Sequence, residues 1–263
     1  MKAQKAMTTA LLAAMATMSW STAGAYTLFY SNDFQGTIGS EWKFQSEIDE
    51  AWTGPSDPTQ TPAIDGDRQF LGEFIGGETA SLNLAGLPDH DRLLLSFDLF
   101  IIRSWDGEGT DYGKDYFNVT YGVDDDVTLF RESFANGNPG GQSYSPNGPG
   151  VWPERTGAAE VNTLGYVFSS WIPGVEWEPT VMDSVYRIAF DFAHSDPLLT
   201  LNFFAEGLQT YIREDESWGL DNVSLAWLKK PTTAVPEPGV MALLACGLLA
   251  MGWLRGTASQ RVA

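Results

Sequence analysis

The chain predicts an all-β protein, and three observations carry that prediction. Short runs of aromatic and β-branched residues alternate with stretches rich in glycine, proline, asparagine and aspartate. Residues 26–228 contain no long amphipathic helical pattern, and no internal repeat is evident. Many short strands with turn-rich connections pack best as two layers, so we expect a two-sheet sandwich of jelly-roll type.

Eight segments have the composition of strands. Residues 93–102 are nearly all apolar, which predicts a central strand covered on both faces. Residues 198–204 alternate, with leucine and phenylalanine on one face and Thr200 and Asn202 on the other. The full set is 69–75, 80–84, 93–102, 116–121, 127–134, 185–192, 198–204 and 220–228.

Residues 136–153 predict a long surface loop. Nine of these eighteen positions are glycine or proline. Connections of this length are often functional or disordered.

The N-terminus predicts a secretory signal peptide over residues 1–25. Lys2 and Lys5 precede an apolar run from Ala10 to about Trp20, and Ala23-Gly24-Ala25 has the small residues of a cleavage site. A buried N-terminal helix is the alternative. We expect a signal helix followed by one exported domain over residues 26–228, which is long enough to bury its own core.

The C-terminus predicts a linker over residues 229–234 and an apolar tail over residues 235–263. Pro236-Glu237-Pro238 precedes an uncharged run of sixteen residues, 239–254, and then Arg255. That run is slightly short for a membrane span, which needs about 20 residues. We expect a short hydrophobic helix here, and an ordinary C-terminal anchor is the alternative.

This tail resembles the PEP-CTERM sorting signal. The resemblance rests on Val235, Pro236, Glu237, Pro238 and Arg255, with the apolar run between the last two. It implies processing by exosortase, a membrane-embedded cysteine protease, and only transient anchoring in the inner membrane. It also implies a location in the envelope or extracellular matrix of a Gram-negative bacterium that makes exopolysaccharide. Eight residues follow Arg255, where the family usually stops sooner.

The charge of the expected exported domain excludes two kinds of partner. Residues 26–228 hold 33 acidic and 9 basic side chains, a net charge of −24. Such a field repels nucleic acid and anionic membrane, and it supplies oxygen ligands for calcium. The single cysteine, Cys246, lies in the tail, so the exported domain has no disulfide.

The first calcium candidate combines the two ends of the domain. The strand opening with Asp221-Asn222-Val223-Ser224 resembles the last strand of the jelly-roll, concanavalin-like domains found in many carbohydrate-binding modules. Asn32-Asp33-Phe34 resembles the opening of the same modules, with Gln35 where a glutamate is usual. The resemblance implies a structural calcium held by Asp33 and Asp221. Capping of the preceding loop by Asp221 is the alternative.

The second calcium candidate is the loop after the central strand. Asp106, Asp111 and Asp115 alternate there with glycines, although without the twelve-residue order of an EF-hand. With residues 97–102 and 218–223, this loop resembles a functionally uncharacterised extracellular domain of PEP-CTERM proteins. A polar, turn-rich connection is the alternative.

The aromatic residues suggest sugar binding. The chain has ten tryptophans, most of which we expect in the core. Trp152, Trp171 and Trp177 flank the loop-rich region and are the candidates for stacking on the apolar faces of sugar rings.

Catalytic patterns are weak. Glu47-Ile48-Asp49-Glu50 is similar to the catalytic strand of concanavalin-like glycosidases, but Ala51 stands where the second carboxylate belongs. Two histidines without a cysteine in the exported domain cannot build a His/Cys zinc site. We therefore expect a non-enzymatic protein that binds extracellular polysaccharide. A structural matrix protein without a discrete ligand and a glycoside hydrolase are the alternatives.

Overall fold

The structure is a computed structural model that describes residues 25–47, 58–62, 64, 66–109, 113–122, 127–137, 140–169, 178–210 and 213–229. The predicted signal peptide, linker and sorting tail lie outside these residues, apart from Ala25 and Lys229. Both expected flanking helices therefore lie outside them too. Within the described ranges, no helix has the length and apolar character needed to cross a bilayer.

The described residues form an all-β protein, which confirms the predicted class. Their fourteen strands are β1 (Tyr26–Asn32), β2 (Trp42–Ser46), β3 (Thr59–Gln60), β4 (Phe70–Phe74), β5 (Glu78–Ala85), β6 (His90–Arg103), β7 (Tyr116–Tyr121), β8 (Val127–Ser133), β9 (Glu160–Val161), β10 (Val167–Phe168), β11 (Thr180–Val181), β12 (Asp183–Ala193), β13 (Leu198–Glu206) and β14 (Glu216–Lys229).

Two antiparallel sheets face each other. Sheet A has the order β3-β4-β14-β6-β12-β9, with β1 paired along the second half of β14. Sheet B has the order β2-β5-β13-β7-β8, and β10 and β11 form a small separate ribbon. From β4 onward the long strands alternate between the sheets, except that β7 and β8 form a hairpin within sheet B.

The core lies between the sheets because alternate residues of each long strand are apolar. Leu199, Leu201 and Phe203 of β13 are buried, as the sequence predicts. Rings from the two sheets meet in the middle, where Phe97 of sheet A lies 5.5 Å from Phe203 and 6.1 Å from Phe117, measured between centroids. This aromatic core makes the sandwich one packed unit.

The central position of β6 is confirmed, but the prediction that both of its faces are covered holds for only one half. Residues 99–102 are fully buried because Phe100 and Ile102 enter a second apolar cluster outside sheet A, with Phe70, Leu164 and Tyr166. In the other half, burial alternates from residue to residue. There Ser96 and Asp98 lie on the outer face.

The glycine- and proline-rich stretch 136–153 is held inward by two buried amides. Gln142 accepts hydrogen bonds from the backbone N–H of Ala135 and Arg155 and from the hydroxyl of Tyr186. Asn136 donates to the carbonyl of Ile101. The described part of the predicted surface loop is thus anchored to the sandwich rather than detached from it.

The antiparallel strands give the sandwich two chemically different ends. The histidine end holds His90 at the start of β6, Ala85 at the end of β5 and Leu198 at the start of β13. The acidic end holds the opposite termini of the strands, including Arg103 and Glu216.

Candidate functional site

An open pocket of about 530 Å³ lies at the histidine end. Three neighbouring strands of sheet B build it, because β5 and β13 meet there and β7 ends at Tyr121-Gly122. The loop from β12 to β13 adds His194 and Asp196.

The pocket lining is amphipathic. Tyr121, Leu84 and Leu199 supply apolar surface from the edge of the core, and Leu198 is 63 % exposed at the rim. The hydroxyl of Thr200 donates to Oδ1 of Asn83 at 3.0 Å, so these two polar side chains are held side by side. Pockets of this size with a few convergent polar groups are typical ligand sites.

A pair of histidines supports one wall. His90 is buried, and its Nδ1 lies 2.6 Å from the carbonyl oxygen of Pro88, which can only accept a hydrogen bond. That nitrogen therefore carries a proton, and in the neutral pair Nδ1 of His194 donates to Nε2 of His90 at 2.8 Å. Burial foremost, and the proximity of His90 second, lower the pKa of His194 and favour its uncharged form.

The acidic end holds a second feature, an acidic cluster of Asp106, Asp115 and Glu216. One carboxylate oxygen of each lies within 4.8 Å of those of the others. Asp106 follows β6, Asp115 precedes β7 and Glu216 opens β14, so three separate strands bring them together. The backbone N–H of Asp106 also donates to the carboxylate of Asp115.

Burial makes this cluster electrostatically costly. Asp115 and Glu216 are 2 % and 3 % exposed. Burial, with repulsion among the carboxylates, raises the pKa of Asp115 to about 7 and that of Glu216 to about 10. The three carboxylates could supply part of the oxygen shell of a divalent cation, which needs six to eight ligands in the case of calcium.

The structure brings together only part of the second predicted calcium loop. Asp106 and Asp115 meet as expected, but Glu216 joins them from β14. Asp111 lies outside the described residues. Calcium binding here stays a prediction.

At the first predicted calcium site, both aspartates already have partners within the protein. β1 pairs with β14, so the two ends of the domain are adjacent as the resemblance implies. Asp221, however, is buried and pairs with Nε of Arg68 at 3.1 Å, while exposed Asp33 accepts a hydrogen bond from the backbone of Gln35. Burial raises the pKa of Asp221 to about 6, although the arginine opposes the shift.

Trp152, the predicted sugar-stacking tryptophan that lies within the described residues, does not line the pocket. Trp152 is half-buried, and its indole N–H donates to the carbonyl of Gly148 at 3.0 Å. It contacts Gln142 near the acidic end, away from the pocket. Trp171 and Trp177 lie outside the described residues, so stacking by these three stays a prediction.

The glycosidase pattern is described only at its first residue. Glu47 is exposed just after β2, and its backbone N–H bonds to Gly77. Asp49 and Glu50 lie outside the described residues.

Sequence reasoning missed the pocket. Asn83, Tyr121 and Leu198 are separated by tens of residues along the chain. The alternation of 198–204 did place Thr200 on the face opposite Leu199 and Leu201, and that was the available signal.

The described residues therefore define an antiparallel β-sandwich with an amphipathic pocket at one end and buried carboxylates at the other. No known family model matches the chain, and no curated protein matches it.

Several solved structures are similar to it. The C-terminal carbohydrate-binding module of LamC, a laminarinase from Zobellia galactanivorans, is 10% identical, with a TM-score of 0.29 and coverage of 76% of this chain and 92% of that one. A carbohydrate-binding module of lichenase 5A from Cellvibrio mixtus, in complex with cellotriose, is 10% identical, with a TM-score of 0.29 and coverage of 78% and 100%.

An exo-β-1,3-galactanase from Phanerochaete chrysosporium is 8% identical, with a TM-score of 0.31, and the match covers 74% of this chain and 28% of that enzyme. These TM-scores are too low to carry an argument. We therefore assign the fold and the candidate site from the geometry of this chain alone.

Proposed function

We propose that this chain is an exported, jelly-roll carbohydrate-binding protein whose pocket at the histidine end takes sugar units of an extracellular polysaccharide. The observation that carries the proposal is the amphipathic lining of that pocket. Sugar rings have apolar C–H faces and a rim of hydroxyl groups, so they need both kinds of surface.

The pocket lining includes both kinds of surface. Leu198 and Tyr121 supply apolar area, while Asn83 and Thr200 supply an amide and a hydroxyl. The carboxylate of Asp196 is a further acceptor, and its Oδ1 already receives the backbone N–H of Leu198 at 2.9 Å. The rim is thereby fixed before a ligand binds, which lowers the entropy cost of binding.

Affinity electrophoresis of the full-length protein in gels containing polysaccharide tests this function. A detergent without a sugar headgroup keeps the tail soluble without competing for the pocket. We expect at least one polymer to retard migration, and Leu198→Ala to reduce the retardation several-fold.

The matched control is Leu28→Ala. Leu28 lies on β1 of sheet A and is 62 % exposed, against 63 % for Leu198. It should migrate like the wild type. If no polysaccharide retards the wild-type protein, the binding function is wrong, and the structural matrix protein becomes the better interpretation.

We further propose that the activity is binding without hydrolysis. Polysaccharides that retard the protein should release no reducing ends on prolonged incubation. Release that Glu47→Gln abolishes would establish the glycosidase alternative instead.

Export and processing are proposed from the sequence alone. We propose that exosortase cleaves near Pro236-Glu237-Pro238 and that the protein reaches the envelope or matrix. Mass spectrometry of protein from expressing cells should show loss of both ends, and changing Glu237 to alanine should preserve the C-terminal mass. An unshortened wild-type C-terminus would overturn this proposal.

A further inference from the structure

We infer that the ligand of this pocket is an uncharged glycan, and that acidic polysaccharides, such as uronate or sulfated polymers, are excluded. This inference rests on the proposed binding function and names its substrate class. It follows from where the basic side chains of the exported domain lie and what they already contact.

Recognition of an acidic sugar needs cationic donors, above all arginine, which binds carboxylates and sulfates through paired N–H groups. Residues 26–228 contain nine basic residues against 33 acidic ones, and all nine lie within the described ranges. A tenth described cation, Lys229, ends β14 opposite His90 and is not a lining residue of the pocket. None of the nine lines the pocket. They are Lys43, Arg68, Arg92, Arg103, Lys114, Arg131, Arg155, Arg187 and Arg213.

Seven of the nine already form ion pairs within the fold. Arg68 alone faces three carboxylates, those of Asp221 at 3.1 Å, Glu160 at 3.3 Å and Asp98 at 4.0 Å. The other six pairs are Arg92–Asp191, Arg103–Glu73, Lys114–Glu108, Arg131–Glu206, Arg187–Glu160 and Arg213–Glu78. Drawing Arg68 or Arg103 toward an anionic ligand would leave a largely buried carboxylate uncompensated. The more exposed cations pair more weakly, and none of them lines the pocket.

The remaining two cations are not among the lining residues of the pocket either. Arg155 donates to Oδ1 of Asn136 at 3.0 Å, beneath the 136–153 segment. Lys43 is exposed on β2, an edge strand of sheet B, where it lies opposite Ser81 and diagonal to the pocket residue Asn83. Neither belongs to the pocket wall.

The pocket itself carries one kind of charge among its described lining residues. Asp196 is a carboxylate, and His194 is bonded to His90 in a pair that fits the neutral form. Two like charges 4 Å apart repel by about 1 kcal/mol in water and about 4 kcal/mol at the effective dielectric of a protein surface. The 24 excess carboxylates of the domain add to this repulsion at low ionic strength.

Affinity electrophoresis of the full-length protein in two sets of gels tests the inference. One set contains neutral polymers, namely dextran, laminarin and galactan, and the other contains alginate and polygalacturonate. All gels are run at low ionic strength with a chelator, and the acidic set is repeated with calcium, because calcium can bridge carboxylates on protein and polymer.

We expect a neutral polymer to retard the protein and neither acidic polymer to do so. Retardation by an acidic polymer, with or without calcium, would overturn the inference while leaving polysaccharide binding established. Absence of retardation in every gel would overturn the binding function as well, so the two failures are distinguishable.

A charge introduced at the rim gives a second test. Leu198→Lys places a cation at the pocket, and Leu28→Lys places the same cation at an equally exposed position on sheet A. We expect only Leu198→Lys to gain retardation in alginate, at least twofold over Leu28→Lys and reversed by salt. Equal migration of the two variants would show that charge at the pocket does not set selectivity, and would overturn the inference.

Discussion

The rings of His90 and His194 are nearly coplanar and meet edge to edge at the edge of the pocket. Their centroids lie 5.1 Å apart with planes at 15°, and Nε2 of His90 is 2.8 Å from Nδ1 of His194. Tyr121 contacts His194 edge-on at 5.8 Å, which ties the pair to the wall of the pocket. The uncharged form of His194 fits this hydrogen bond.

The histidine pair should cost the protein stability as the pH falls. The pKa of His194 is lowered in the fold, by burial first and by His90 second, below the usual value of about 6.5. Below that pH the unfolded chain binds the proton more readily than the folded one, so this contribution to the free energy of unfolding decreases on acidification. We expect the melting temperature of His194→Gln, relative to wild type, to be higher at pH 5 than at pH 7.5.

The difference in melting temperature between the two proteins cancels the effect of titrating groups that lie remote from the histidine pair. Asp196 adjoins the pair and partly opposes the shift. Asp196→Asn in both backgrounds therefore serves as the control and should enlarge the difference. A relative melting temperature that stays the same at both values of pH would contradict the prediction.

The acidic cluster should have the opposite pH dependence, because it should lower the stability of the protein as the pH rises. Because burial raises the pKa of Glu216, the unfolded state loses its proton at lower pH than the folded state, and stability is lost as the pH rises from about 4. Glutamine mimics the protonated acid and removes this dependence. In a chelating buffer, Glu216→Gln should gain melting temperature over wild type between pH 5 and pH 8.

Glu154→Gln at an exposed position is the matched control and should gain nothing. A calcium titration of the same proteins tests the predicted metal. Calcium should raise the melting temperature of the wild type and raise that of Glu216→Gln less. An identical response of the two proteins would remove the acidic cluster from consideration as a calcium site.

Arg68 should contribute far more to the stability of the fold than a surface arginine does. Its side chain is 19% exposed, faces three carboxylates and lies 4.5 Å from the centroid of Phe100. Removing one partner of a buried ion pair costs about 3 kcal/mol or more, because the remaining charges are left buried. Arg68→Gln should lower the free energy of unfolding by about that amount in urea denaturation.

Arg92→Gln provides the comparison. Its pair with Asp191 is 41% and 45% exposed, and such pairs contribute at most about 1 kcal/mol. Similar losses for the two variants would show that the burial of Arg68 is not what makes it important.

Gln142 should be indispensable to the 136–153 segment. It is fully buried, donates to the carbonyls of Tyr144 and Thr156, and accepts three hydrogen bonds. Gln142→Ala leaves several of these groups unpaired, and we expect a loss on the order of 3 kcal/mol by urea denaturation. Gln45→Ala, exposed on β2, should change stability by less than about 0.5 kcal/mol. Proteolysis within 136–153 should increase only in the first variant.

The two-sheet all-β fold was predictable because its long strands alternate or are continuously apolar. The strand Tyr116–Tyr121 was predicted to the residue, and seven others to within a few residues. β1 was missed because its residues are half-buried or exposed in no regular alternation, which gives no periodic signal. β2 is only five residues long.

The sites were harder to predict from the sequence because each combines residues that lie far apart along the chain. Asp221 was predicted as a calcium ligand, and its observed partner Arg68 lies 153 residues away in the chain. Asp106 and Asp115 were recognised because they share one loop, whereas Glu216 reaches them only through the pairing of β14 with β6. A local sequence pattern reveals neither the pair of Asp221 with Arg68 nor the approach of Glu216 to Asp106 and Asp115.

The pairing of β1 with β14 has a practical consequence for engineering the domain. Tyr26 lies opposite Leu228, so the first strand of the sandwich begins beside the end of the last strand. A short glycine-rich peptide can close that gap, and new termini can be opened between the exposed residues Pro146 and Asn147. The sandwich is therefore suited to circular permutation, with the join at the histidine end and the new termini outside the residues that line the pocket.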